Sequence, residues 1–417
     1  MTQSPIDEDL RASSPCRSLK PVLARLAAGS RLTEAESQAA FELVMSGGGT
    51  DAQIAALVMA LRVRGETVPE LLGAVRAMRA RMRVVPGVAD AIDVCGTGGD
   101  GHSTLNISTA VAFVLAALGV PVAKHGNRAV SSRAGAFDTL EALGIPIIQD
   151  PDLLEASLQM NGLTFLAANL HHPAMRHAAT VRSELGLRTI FNLLGPLCNP
   201  ASVRRQMIGV FDPEWQEPIA RTLQQLGADC VWVVHGEDAD GTDHRGLDEL
   251  GLAGPNRIVA LDQGRLCRFS VTPEELGLPR HPVAAIAGGD AVHNARALER
   301  LLAGEPGAYR DTVLLNAAAA LQVSARGSIL ANSGTDVDPG DGVAEIEAPI
   351  ETLLQGLRHA ARVLDDGSAL AVLDSMRAPD AAGNAGRSSG LNREADKLVD
   401  KPAPPQRARP KALPHER

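Results

Sequence analysis

Past residue 90 the chain alternates short apolar runs, at 91–95, 120–123, 164–167, 206–210 and 230–235, with helical stretches at 107–118, 151–160 and 214–226. Strands that are apolar almost throughout must be covered on both faces, which a mostly parallel sheet between helices achieves. The pattern therefore predicts an α/β fold with its ligand site beyond the C-terminal strand ends. Helical pattern returns at 289–302, 311–323 and 350–364.

Residues 18–88 follow a different grammar. Three capping-box signatures, Thr33-x-x-Glu36, Thr50-x-x-Gln53 and Thr67-x-x-Glu70, open successive helices. Glycines at 47–49 and at Gly65 stop them. A small all-helical domain is expected over 18–88, joined by part of the turn-rich stretch 173–198. A large α/β domain is expected over 89–377, with disordered tails at 1–17 and 378–417, the second rich in Pro, Gly, Ser and Arg.

The 417 residues carry a net charge of −9 and only 2% aromatics, so neither a basic DNA-binding face nor a stacking platform for single strands is indicated. Five widely spaced cysteines (Cys16, Cys95, Cys198, Cys230, Cys267) with no C-x-x-C pair read as thiols in a reducing cytosol. The longest apolar stretch, 110–123, is broken by Gly119 and Pro121 and is too short to span a bilayer. A cytoplasmic protein with neither a nucleic-acid nor a membrane partner is expected.

Four constellations carry chemistry. Cys95-Gly-Thr-Gly-Gly-Asp-Gly-His-Ser-Thr-Leu-Asn-Ile-Ser-Thr109 places a glycine-rich turn between a strand and a helix. Without Cβ atoms, successive N–H groups can close around phosphate oxygens, with the helix N-terminus facing the same anion. The spacing fits neither a P-loop nor a dinucleotide turn. Lys124-His-Gly-Asn-Arg-Ala-Val-Ser-Ser132 follows the next strand and offers cations, an amide and hydroxyls to a second phosphate. Gly246-Leu-Asp-Glu249 offers adjacent carboxylates suited to Mg²⁺, whereas Asp238, Asp240 and Asp243 just before it read as a solvated loop. His171 and His172 lack metal-ligand spacing, and Arg182 is suited to gripping a carboxylate.

Together these strings resemble the anthranilate phosphoribosyltransferase family, of the nucleoside-phosphorylase-like transferase fold. The matching pieces are Gly96-Thr-Gly-Gly-Asp100, Asn106-Ile-Ser-Thr109, Lys124-His-Gly-Asn127 with Ser131-Ser132, Asp138-x-Leu-Glu-x-Leu-Gly144, His172-Pro-Ala-Met175, Arg182, Arg188-Thr-Ile-Phe-Asn-Leu-Leu-Gly-Pro196 with Asn199-Pro200, and Asp248-Glu249. They recur in order from about residue 32 to about 373. The resemblance implies transfer of 5-phosphoribosyl from phosphoribosyl pyrophosphate to anthranilate, a step of L-tryptophan biosynthesis, by a homodimer.

It also implies roles residue by residue. Gly96, Gly99, Asp100, Thr104, Asn106, Ile107, Ser108, Thr109, Lys124, His125, Gly126, Asn127, Arg128, Ala129, Val130, Ser131, Ser132 and Ala136 would hold the phosphoribosyl donor. Gly96, His125, Asn127, His172 and Arg182 would contact anthranilate. Ser108, Asp248 and Glu249 would hold Mg²⁺, two ions per subunit. No residue is expected to form a covalent intermediate. The chain departs from the family pattern at Phe137, which is expected to narrow the pocket, at Asn169, and in the longer loop before Gly246. A pyrimidine nucleoside phosphorylase shares the fold and phosphate loop, but Lys124-His-Gly-Asn127 and Arg182 favour the transferase. A non-catalytic nucleic-acid-binding relative is disfavoured by the acidic charge.

Overall fold

A computed structural model of the chain describes residues 18–86, 90–128, 133–238, 246–325 and 342–377. Both expected tails lie outside the described residues, as do Ala129, Val130, Ser131, Ser132, Asp240 and Asp243.

The chain begins with four helices, α1 (Lys20–Ala27), α2 (Glu34–Met45), α3 (Asp51–Arg64) and α4 (Val68–Arg79). At α2, Thr33 accepts the Glu36 N–H while Glu36 accepts the Thr33 N–H, and Thr50 and Gln53 do the same at α3. At α4 the Glu70 carboxylate takes both the N–H and the O–H of Thr67. Gly73 lets α4 lie directly on α2, because a Cβ there would collide with the backbone of residues 34–38.

Strands β1 (Ile92–Gly96), β2 (Val122–Gly126), β3 (Leu163–Ala167), β4 (Arg205–Gly209), β5 (Cys230–Gly236), β6 (Asn256–Asp262), β7 (Arg265–Val271) and β8 (Ala344–Glu345) form one sheet among the described residues, in the order β3-β2-β1-β4-β5-β6-β7-β8. β3 to β5 are all parallel, as the apolar runs predict. β6 and β7 extend the sheet as an antiparallel hairpin that the parallel-strand pattern did not reveal.

Helices α5 (Ile107–Ala117), α6 (Ala136–Ala142), α7 (Pro151–Asn161), α8 (Ala168–His171), α9 (Arg176–Leu185), α10 (Ile190–Leu197), α11 (Gln216–Gln225), α12 (Ala291–Leu302), α13 (Ala308–Ser324), α14 (Ile350–Asp365) and α15 (Ser368–Met376) complete the described α-helices. One apolar cluster sets Ile92, Val94, Phe113 and Trp232 against α12 to α15. A second joins the opposite sheet face, through Ile208, Val231 and Val233, to α1–α4, α9, α10 and α11. The stretch that breaks the alternation thus packs back on the N-terminal helices, with α9 against α2 and α3 and α10 against α3 and α4.

Chain direction across the sheet reverses at β1. The chain runs outward through β2 and β3, then returns to place β4 on the other side of β1. Such a switch leaves a crevice beyond the C-terminal ends of the two central strands. No helix among the described residues is long and apolar enough to cross a membrane. Cys95, Cys198, Cys230 and Cys267 are buried free thiols.

Candidate active site

The acidic doublet Asp248-Glu249 lies across that crevice, and four glycines make room for it. A Cβ on Gly96, at the end of β1, would collide with the Asp248 carboxylate, and one on Gly209, at the end of β4, with the Asp248 main chain. Gly236, at the end of β5, meets the Glu249 carbonyl in the same way, and Gly246 abuts Gly236 and His235. Leu247 pairs with Gly236 through reciprocal main-chain hydrogen bonds and so fixes the doublet's height above the sheet. Gly209 and Gly236 escape sequence reading, because nothing local to either strand signals that a remote segment must cross it.

The first glycine-rich turn is tied to the doublet at two points. Gly98 N–H donates to Asp248 Oδ2 at 2.7 Å, and Ser108 N–H, at the start of α5, donates to Glu249 Oε1 at 3.2 Å. Gly98, Gly99 and Gly101 have φ of 72°, 80° and 89°, the left-handed region that a side chain would strain. Between these anchors the N–H groups of Gly99, Asp100 and Gly101 have no partner among the described residues. Consecutive free N–H groups of this kind form an anion nest. The Arg188 guanidinium lies 2.7 Å from where a Gly99 Cβ would stand and 4.1 Å above the Phe211 ring, which brings a cation to the same turn. Ile107 and Thr109 are buried, whereas Asn106 and Ser108 are half-exposed and offer side-chain donors.

The second loop leaves β2, the parallel neighbour of β1, so both loops open on one edge of the sheet. Here the structure differs from the simple loop reading. Lys124, His125 and Gly126 belong to β2 itself, and Lys124 is only 3% exposed. Its ammonium donates to the Val94 carbonyl at 2.8 Å, and its charge partly offsets the burial that raises the pKa of both Asp93 and Glu249. Lys124 is therefore a buried counter-charge under the crevice. Asp93, buried below it, accepts from His125 N–H at 3.0 Å and from the Asn199 amide at 2.7 Å, locking β1, β2 and the 199–201 turn together. Asn127 is exposed. Arg128 is turned away from the crevice and pairs with Asp138 and, through both terminal nitrogens, with Glu141 on α6.

Three carboxylates converge where little opposes them. Burial, then the charges of Asp100 and Glu249, pushes Asp248 well above the usual carboxylate range. Burial pushes Glu249 up to about 7 even though Lys124 and Ser108 act to lower it. Oxygen donors short of positive charge suit a hard divalent cation, which would relieve both effects. Among the described residues no three His, Cys, Asp or Glu side chains form a closed metal cage. An ion here would complete its shell from water and ligand oxygens, which is the habit of Mg²⁺.

His125 and His172 meet edge to face, with ring centroids 5.2 Å apart. His125 Nδ1 faces the Gly195 carbonyl at 3.1 Å, and His171 Nδ1 faces the Arg83 carbonyl at 2.8 Å. Burial lowers the pKa of all three, His172 to about 4, so the cluster is neutral. Arg182, on α9, lies 5.7 Å from the Phe191 ring centre, and burial lowers its pKa. It has no carboxylate partner among the described residues.

Phe137 does not narrow the crevice. It is 2% exposed and sits in the apolar core, its ring against Gly126. It also lines a cavity of about 250 Å³ together with Leu140, Ile145, Leu153, Met160, Phe165 and others. A large ring gains more from that apolar surface than from the polar edge.

Comparison with known proteins agrees with this arrangement. Residues 88–370 match the glycosyl transferase family a/b domain, and residues 20–82 match the helical bundle domain of the same family. The chain is 53% identical over 358 residues to an anthranilate phosphoribosyltransferase of Gluconobacter oxydans, covering 86% of this chain and 94% of that one. It is 50% identical over 357 residues to that of Beijerinckia indica, covering 86% and 96%. Among solved structures it is similar to anthranilate phosphoribosyltransferase from Thermus thermophilus, with TM-score 0.72, 40% identity, and coverage of 85% of this chain and 97% of that one. The fold also matches the Saccharomyces cerevisiae protein solved with PRPP and Mg, with TM-score 0.71, 24% identity, and coverage of 86% and 96%.

Proposed function

The chain belongs to the anthranilate phosphoribosyltransferase family, and from that premise we propose that the crevice between β1 and β4 transfers 5-phosphoribosyl from phosphoribosyl pyrophosphate to the amine of anthranilate. The observation that carries the proposal is the under-neutralised doublet Asp248-Glu249 bonded to a turn whose next three N–H groups have no partner among the described residues.

The nest at Gly99–Gly101, the Asn106 and Ser108 donors at the α5 N-terminus, and Arg188 would bind the donor's phosphates. Ser108, Asp248 and Glu249 would hold Mg²⁺, two ions per subunit, whose charge offsets the negative charge growing on the departing pyrophosphate. The amine nitrogen forms a bond to ribose C1 as the C1–O bond to pyrophosphate breaks, and the nitrogen then loses a proton. An aryl amine is unprotonated at neutral pH, so the residues around it need to orient rather than deprotonate it. Arg182 is suited to grip the anthranilate carboxylate, since burial without an acidic partner leaves its charge available. Gly96, Asn127 and the neutral His125–His172 pair would flank the acceptor ring. The protein would work in the cytoplasm as a homodimer formed through its helical part, with no nucleic-acid or membrane partner.

The test is anthranilate fluorescence. Signal should disappear only when phosphoribosyl pyrophosphate and Mg²⁺ are both present; loss without either, or no loss with both, would refute the assignment.

A further inference from the structure

Asn106 is the N-cap of α5, where an asparagine ordinarily turns its side-chain oxygen onto the first free N–H groups of the helix. It makes no such bond. Its Oδ1 instead accepts from Thr139 Oγ1 at 2.7 Å and from Asn294 Nδ2 at 3.1 Å. This orientation is fixed from outside the site. Gly289 N–H, which can only donate, is 2.8 Å from Asn294 Oδ1, so Asn294 must present its NH₂ to Asn106, and Asn106 must answer with its oxygen. The hydroxyl of half-buried Tyr309, the only tyrosine in the chain, donates to the Asn106 main-chain carbonyl at 3.0 Å. The Asn106 NH₂ then has no partner among the described residues and stands on a half-exposed residue between the anion nest and Ser108.

We infer that Thr139, Asn294 and Tyr309 are positioning residues that hold the Asn106 amide with its two N–H donors toward the phosphoribosyl donor. The inference rests on the proposed function. In the flipped amide, an oxygen would face phosphate and repel it. Thr139 lies on α6, just after the second loop, and Asn294 on α12, just after the segment at 286–288 that pairs with residues 103–105 of the first loop. Asn106 is thus where the supports of both loops meet.

Steady-state kinetics with each substrate varied in turn tests this, alongside thermal melts. Thr139→Val removes the hydroxyl, and Asn294→Asp replaces the donor with an acceptor while keeping an oxygen for Gly289. Both should raise KM for phosphoribosyl pyrophosphate about tenfold, the weight of a hydrogen bond to a charged group, and leave KM for anthranilate within about twofold. Thr139→Ser, which keeps the hydroxyl, should restore the donor KM. A purely structural role would lower Tm and the active fraction without separating the two KM values. Should Asn294→Asp not fold, the Val and Ser variants of Thr139 decide the matter. Donor KM within about twofold of the parent in Thr139→Val overturns the inference alone. A parent that does not consume anthranilate overturns the proposed function and this inference with it.

Discussion

Two buried carboxylate sites in different halves of the chain show how differently one protein can treat the same group. In the helical region Glu70 is fully buried, yet it accepts from Leu32 N–H at 2.8 Å, from Arg64 at 2.6 and 2.5 Å, and from the N–H and O–H of Thr67. Above the sheet, Asp248 has one N–H and an acidic neighbour, while Glu249 has Ser108 and a shared Lys124. The protein completes the first site by itself. The second it leaves short of positive charge, a destabilising arrangement that a cation-bearing substrate would repair. Glu70 is therefore a structural carboxylate, and the doublet is a reserved one.

The contrast predicts opposite responses to removing charge. Converting Asp248 and Glu249 together to Asn and Gln should reduce turnover about a thousandfold. It should also raise the Tm of the ligand-free protein, because a buried repulsion is gone; a fall in Tm would break the contrast at its functional end. Glu70→Gln should do the reverse. Stranding Arg64 should cost about 3 kcal/mol, seen in denaturant unfolding, while kcat per folded molecule stays at the parent value. An unchanged unfolding midpoint would break the structural end.

A smaller effect comes from the histidines, which the protein keeps neutral. His172, with its pKa lowered to about 4 by burial, binds its proton more readily once unfolded. It contributes nothing to stability above the unfolded value near 6.5 and destabilises the fold as pH falls toward 4, by about 1.4 kcal/mol at pH 5.5. Because protonation of the doublet acts in the opposite sense, the measure is the difference in pH dependence between the parent and His172→Gln. Equal slopes would refute it.

Smallest of all, Glu66 marks the limit of the comparison. It is 8% exposed, neither of its carboxylate oxygens has a hydrogen-bond partner among the described residues, and burial raises its pKa. Glu66→Gln should stabilise the protein by less than about 1 kcal/mol, without touching activity.

What could be read in advance followed the range of the forces involved. Capping boxes act over three residues, and all three stand as the sequence indicates. The parallel strands were visible because burial on both faces makes each nearly all apolar. β6 and β7 were not, because Arg257, Arg268 and Ser270 interrupt their apolar pattern. α6 has seven residues, too few for helical periodicity to show. At the site, the glycine-rich turn and the acidic doublet were legible as local strings. The glycines at 209 and 236 and the Asn294–Thr139 brace were not, since their purpose depends on partners many residues away. Lys124 was legible as a cation but not as a buried one.

The most direct test of the central claim is thermal unfolding of the parent and of the Asp248→Asn, Glu249→Gln double variant, each with Mg²⁺, with phosphoribosyl pyrophosphate, and with both. The parent should gain far more from both together than from either alone. The variant should start higher and fail to gain. If the variant shows the parent's full joint shift, the crevice carboxylates do not hold the metal–pyrophosphate unit, and the account is contradicted.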